Sequence, residues 1–204
     1  MPPLRDPHQP IANLGTLLEF WQWAMSDLLS NANRGVLAEF IVGRILGADL
    51  SSARTEWTAY DLLYRAYRLE VKSSAFVQTW HKSTDRTAPV FGVAEHQGWD
   101  AEQNLMHPDK RRWADLYVFC LFPASKEDFS RDVLDLDRWA FYTVTTRELE
   151  ARLAPGTKSL TLARVTEICG PALSHTTLKA RVDELLRDLP HSSARSISAA
   201  QDAP

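Results

Sequence analysis

WTAYDLLYRAYRLEVKSSAFVQTW, residues 57–80, is the stretch that decides the fold. It is rich in aromatic and branched residues, and from Tyr67 to Val71 apolar and charged positions alternate, which is strand periodicity. Two strands paired as a hairpin fit it best. On the second strand Arg68, Glu70, Lys72 and Ser74 project to one face while Tyr67, Leu69 and Val71 project to the other. A tight turn would bring Asp61, nine residues before Glu70, beside that glutamate.

Working outward toward the N-terminus, residues 14–31 (LGTLLEFWQWAMSDLLSN) place apolar side chains at 14, 17, 18, 21, 24, 25, 28 and 29, the spacing of an amphipathic helix. Asn33 is a plausible cap for a second helix, residues 34–50 (RGVLAEFIVGRILGADL), with Gly47 as its stop. Toward the C-terminus, Pro89–Ala94 holds a short strand beside a polar loop. ADLYVFCLF, residues 114–122, is a near-continuous apolar run of strand length, as expected of a strand covered on both faces. WAFYTVT, residues 139–145, is another strand, and Thr146 precedes a short helix. The remainder to residue 189 contains a short strand and two helices. Helices, then a hairpin, then strands alternating with helices predict an α/β (α+β) three-layer domain, a mixed central sheet flanked by helices.

The chain has 204 residues, 45% apolar, 24% charged and 10% aromatic, which is the composition of one folded domain. Residues 11–189 form that domain, and 1–10 and 190–204 are expected to be flexible ends. Cys120 and Cys169 lie in apolar stretches, as buried thiols of a reducing cytosol would. With neither a signal peptide nor a membrane span evident, a cytoplasmic protein is expected. A net charge of −3 argues against a surface built wholesale for polyanions.

Glu70-Val71-Lys72 is the first chemical candidate, although composition alone yields roughly one acid-x-Lys triplet by chance. Its setting adds information. A carboxylate and an ammonium sit side by side on one strand face, and Asp61 comes close by the hairpin, so the two acids call for a cation. Magnesium takes oxygen ligands and keeps several waters, so Asp61, Glu70 and the backbone carbonyl of Val71 form a suitable open site. Glu39 supplies a third acid from a helix, bordering its apolar face with few charged neighbours.

RGVLAEF, then Asp61, then LEVKSSAFVQ resemble the PD-(D/E)xK superfamily of restriction-endonuclease-like nucleases. Glu39, Asp61, Glu70 and Lys72 match the helical Glu, the Asp and the E-x-K of that pattern in order and type, over residues 33–80. Tyr60 stands where the family's name has Pro, and Gln78 follows the Lys sooner than the helical Gln of exonuclease-type members. The resemblance implies a restriction-endonuclease-like core and metal-dependent hydrolysis of phosphodiester bonds in DNA. It implies Mg2+, with Mn2+ as substitute, held by Asp61, Glu70 and the Val71 carbonyl, with Glu39 acting directly or through water. Lys72 would orient the attacking water or stabilise charge at phosphorus, with Ser73 and Gln78 in support.

Lys110, Arg111 and Arg112 follow a loop containing Gln97, Gly98, Trp99, Gln103 and Asn104, a mix of cations, amides and an aromatic suited to nucleic acid. His96 and His107 lack the partners of a zinc site. The apolar stripe of residues 14–29 points to a homodimer. The competing function is a non-catalytic module on the same fold, binding nucleic acid or a protein.

Overall fold

The computed structural model describes residues 2–56, 58–79, 87–100, 105–123 and 133–189. Its centre is β6 (Leu116–Phe122), buried at all seven positions, as the unbroken apolar run requires. On one side β6 pairs in parallel with β2 (Tyr67–Ala75), which pairs antiparallel with β1 (Leu62–Tyr64); on the other it pairs antiparallel with β7 (Ala140–Thr145). The sheet is therefore mixed, in the order β1-β2-β6-β7.

Alternation along β6 divides the core. Leu116, Val118, Cys120 and Phe122 join one cluster with α2 (Asn31–Leu46) and α5 (His175–Arg187), while Tyr117, Phe119 and Leu121 join a second. The second cluster includes residues of α3 (Thr146–Ala151), α4 (Leu162–Cys169) and the two-stranded sheet of β3 (Val90–Gly92) and β8 (Ser159–Thr161). Helices thus flank both faces, and the three-layer expectation holds. Among the described residues no helix is long and apolar enough to cross a membrane.

The expected hairpin forms from β1 and β2, turning through Arg65 and Ala66, whose φ of +49° and +67° are the left-handed values that a two-residue loop needs. Ser30, not Asn33, caps α2, accepting from the Asn33 amide, and Gly47 stops the helix at φ +77°. The first helix is shorter than its stripe. α1 (Leu17–Met25) opens with a Thr16/Glu19 capping box and buries no residue, while Leu29 belongs to the core. At the N-terminus, the Pro2 carbonyl accepts a hydrogen bond from the Ala53 amide.

The polar loop expected after β3 is instead a ribbon, β4 (His96–Asp100) paired antiparallel with β5 (Leu105–Arg111). Trp113 anchors its base: the indole Nε1–H donates to the His96 carbonyl at 2.8 Å, and the Arg111 guanidinium lies 3.8 Å from the ring centroid. Gly98 admits that ring, since a Cβ there would fall 2.5 Å from Trp113 Cε2. Gly98→Ala is expected to destabilise the protein by about 1–3 kcal/mol through overpacking, and thermal melting checks this; an unchanged melting temperature would mean that the ribbon base yields.

Candidate active site

β1 is three residues long and β2 nine, so beyond Leu69, the last partner of β1, one edge of β2 has no paired strand among the described residues. Asp61 occupies the start of this gap. Its amide donates to the Leu69 carbonyl at 3.0 Å, and its Oδ2 accepts from the Val71 amide at 2.7 Å. The carboxylate therefore sits against the Glu70–Val71 peptide at this sheet edge.

Glu70 lies on the face of β2 away from α2, with a side chain only 7% exposed. Its Oε1 is 2.5 Å from the Lys72 ammonium, which remains 34% exposed. The pair is not a solvated surface contact, and three of the four expected site residues, Asp61, Glu70 and Lys72, meet here. Burial, then repulsion from Asp61, pushes the Glu70 carboxyl above its ordinary range, against the opposing pull of Lys72 and His96. Burial alone would lower the Lys72 ammonium, but Glu70, Asp61 and Glu39 outweigh it and raise the group. Lys72 thus stays protonated at neutral pH, a donor and a fixed charge rather than a base.

Since its folded pKa exceeds the unfolded one, Glu70 contributes stability that is full below the ordinary carboxylate range and lost as pH rises through the folded value. In a chelating buffer, Glu70→Gln should therefore gain on wild type in melting temperature as pH climbs from about 4 to about 7. Wild type gaining on the variant instead would show that Lys72 overcompensates for burial.

Glu39, buried on α2, departs from expectation. It was expected to have few charged neighbours, yet Arg54 grips both carboxylate oxygens, Nε to Oε2 at 2.5 Å and Nη2 to Oε1 at 2.9 Å. Its carboxyl is raised by burial, less by Asp61, and lowered by Arg54 and Lys72. Glu39 thus borders the same site, with each of its oxygens engaged by the Arg54 guanidinium. Among the described residues no group of three His, Cys, Asp or Glu side chains gathers as a ready-made metal cage.

Ser73 and Gln78 do not join Lys72. Ser73 alternates to the α2 face, where its Oγ accepts from Arg34 Nε at 3.2 Å; Gln78 Oε1 accepts from Arg34 Nη1 at 3.1 Å. Arg34, only 2% exposed, also donates to the Leu29 carbonyl at 2.8 Å, and burial lowers its pKa to about 10. Both residues support the joint between α2 and β2, a scaffold role.

Arg112 is also corrected. Its side chain, 5% exposed, donates to the Val93 and Thr157 carbonyls and pairs with Glu95 and Glu150, so it is a strut rather than a nucleic-acid contact. Lys110 and Arg111 remain exposed on β5, while Gln97 and Trp99 lie on β4; Gln103 and Asn104 fall outside the described residues. Thr58, three residues before Asp61, forms a parallel bridge with Trp99, and this sets the ribbon beside the site.

No family model and no curated protein matches the sequence. Among solved structures, a bacterial homing endonuclease is similar with a TM-score of 0.41 and 14% identity, covering 76% of this chain and 97% of that one. At so distant a likeness, the chemistry of the site must be argued from its own residues.

Two residues at or beside the site escaped the sequence reading, Arg54 and Arg34. Arg54 sits in a polar linker and Arg34 in the first turn of a helix. Nothing in hydrophobic periodicity marks a cation that is placed by tertiary contacts.

Proposed function

We propose that the chain is a metal-dependent nuclease of the PD-(D/E)xK type that hydrolyses phosphodiester bonds in DNA. The observation that carries this reading is the Glu70–Lys72 pair at 2.5 Å, with the Asp61 carboxylate on the adjacent Val71 amide at a strand edge unpaired among the described residues. Crowded acids beside a protonated lysine suit a polyanionic substrate and a hard cation better than they suit stability, because a buried pair seldom repays its desolvation.

The donor set fits Mg2+, or Mn2+ in its place. Asp61 and Glu70 provide hard carboxylate oxygens, their mutual repulsion favours a cation between them, and the Val71 carbonyl adds a neutral oxygen. When bound, such an ion supplies a lowered water pKa and relief of phosphate charge. The rest falls to the chain. Lys72 spends one N–H on Glu70 and has two to orient the attacking water or to donate to a phosphate oxygen. Asp61 holds the Val71 peptide rigid, and with it the spacing from Glu70 to Lys72. Lys110 and Arg111 on the ribbon are the proposed backbone contacts. The apolar side chains that α1 leaves exposed among the described residues, Leu18 and Met25 on one flank and Phe20 and Trp23 on the other, support a second copy as partner.

The second reading is a nucleic-acid-binding module without catalysis. It is favoured by the pairing of both glutamates with internal cations. Melting in millimolar Mg2+ separates the two: the nuclease reading expects wild type to be stabilised and Glu70→Gln not to be, by linkage of folding to ion binding. Equal response of both proteins contradicts the proposed ion site.

A further inference from the structure

Arg54 is unused by the nuclease reading, yet it stands at the site. One edge of its guanidinium, Nε and Nη2, is clamped by Glu39 at 2.5 and 2.9 Å. Because Glu39 is buried on α2, the plane of the fork is fixed rather than free to sweep the surface. Among the described residues, the acid paired with the remaining nitrogen, Nη1, is Glu56 at 3.9 Å, beyond hydrogen-bond distance, and that acid is 77% exposed. The Arg54 side chain keeps 39% of its surface exposed. Arg54 lies within electrostatic reach of Asp61, and Glu39 within reach of both Asp61 and Lys72.

From this arrangement we infer that Arg54 binds a backbone phosphate of the nucleic acid, aimed by Glu39, which acts as a positioning residue rather than as a metal ligand. The inference rests on the nuclease reading for the identity of the anion. Guanidinium suits the task because one edge can be held by a carboxylate while the other presents N–H groups to phosphate oxygens; an ammonium cannot divide itself in this way. The clamp also explains why a buried acid and an arginine are kept together, since such a pair by itself is weak evidence of stabilisation.

The test is equilibrium binding of the full chain to a fluorescent duplex oligonucleotide in Ca2+ over a series of salt concentrations, run beside Mg2+-dependent cleavage by wild type. Arg54→Gln should bind about tenfold more weakly, and the slope of log affinity against log salt should fall by about one. Arg54→Lys should restore the slope without restoring all of the affinity. Glu39→Gln should weaken binding alone but add nothing to Arg54→Gln. The double variant leaves no unpaired buried charge, so it guards against misfolding, and it should show the same lost slope. If wild type cleaves and Arg54→Gln keeps its affinity and slope, the inference falls while the nuclease reading stands. A Mg2+ dependence shifted by Glu39→Gln in the Arg54→Gln background would make Glu39 an ion ligand and overturn its positioning role. Binding that loses slope in Arg54→Gln without any cleavage by wild type supports the phosphate contact and removes the nuclease; wild type that neither binds nor cleaves removes both.

Discussion

Replacing Lys72 with Met is expected to slow phosphodiester cleavage by roughly three orders of magnitude, the scale of losing one preorganised donor to developing charge. DNA affinity should change far less, because the interaction is strongest where charge builds in the transition state. Lys72 is raised by Glu70, Asp61 and Glu39 together, so its charge is present at neutral pH without help from substrate. The same substitution removes the partner of a nearly buried carboxylate. Breaking such a pair costs about 3–5 kcal/mol when the orphan stays charged, but Glu70 is already raised and can take up a proton instead. A folding cost of about 1–2 kcal/mol is therefore expected. Single-turnover cleavage of a labelled duplex beside a melting curve measures both. An unaltered rate would make the lysine a structural partner and nothing more.

Asp61 allows structure and chemistry to be separated, because two substitutions treat its hydrogen bond differently. Asp61→Ala strands the Val71 amide that now donates to Oδ2 at 2.7 Å. The loss is about 1–2 kcal/mol, partly offset by relief of repulsion on Glu70. Asp61→Asn keeps a carbonyl oxygen for the amide and removes the charge, so it should melt at or above wild type. Both variants should lose Mg2+-dependent cleavage by about a thousandfold or more, since an amide or a methyl is a poor substitute for a carboxylate ligand. Cleavage near the wild-type rate by Asp61→Asn would remove Asp61 from the ion site. Equal melting of the two variants would show the Val71 bond to be energetically idle.

How far the sequence foretold this arrangement depended on whether burial was written into periodicity. β6 announced itself because it is covered on both faces and so apolar throughout. The β1–β2 hairpin was legible because Tyr67 to Val71 alternate, and that alternation put Glu70 and Lys72 on one face. The β4–β5 ribbon was not, since β5 is exposed along nearly its whole length and carries Pro108, leaving no apolar alternation to read. Arg112 looked like one of three surface cations and is a buried strut, because burial of a charge depends on carbonyls supplied from distant Val93 and Thr157. Glu39 was placed beside the site by its motif, but its partner Arg54 comes from a linker fifteen residues on, where neither spacing nor composition distinguishes it.

Incubating the wild-type full chain with supercoiled plasmid, in millimolar Mg2+ and in parallel with chelator, tests the account most directly. The expected result is conversion to nicked or linear DNA with the ion, none with chelator, and none with Glu70→Gln under either condition. Folded wild-type protein that leaves plasmid and single-stranded DNA intact in both Mg2+ and Mn2+ would contradict the assignment of Asp61, Glu70 and Lys72 as a phosphodiester-cleaving site.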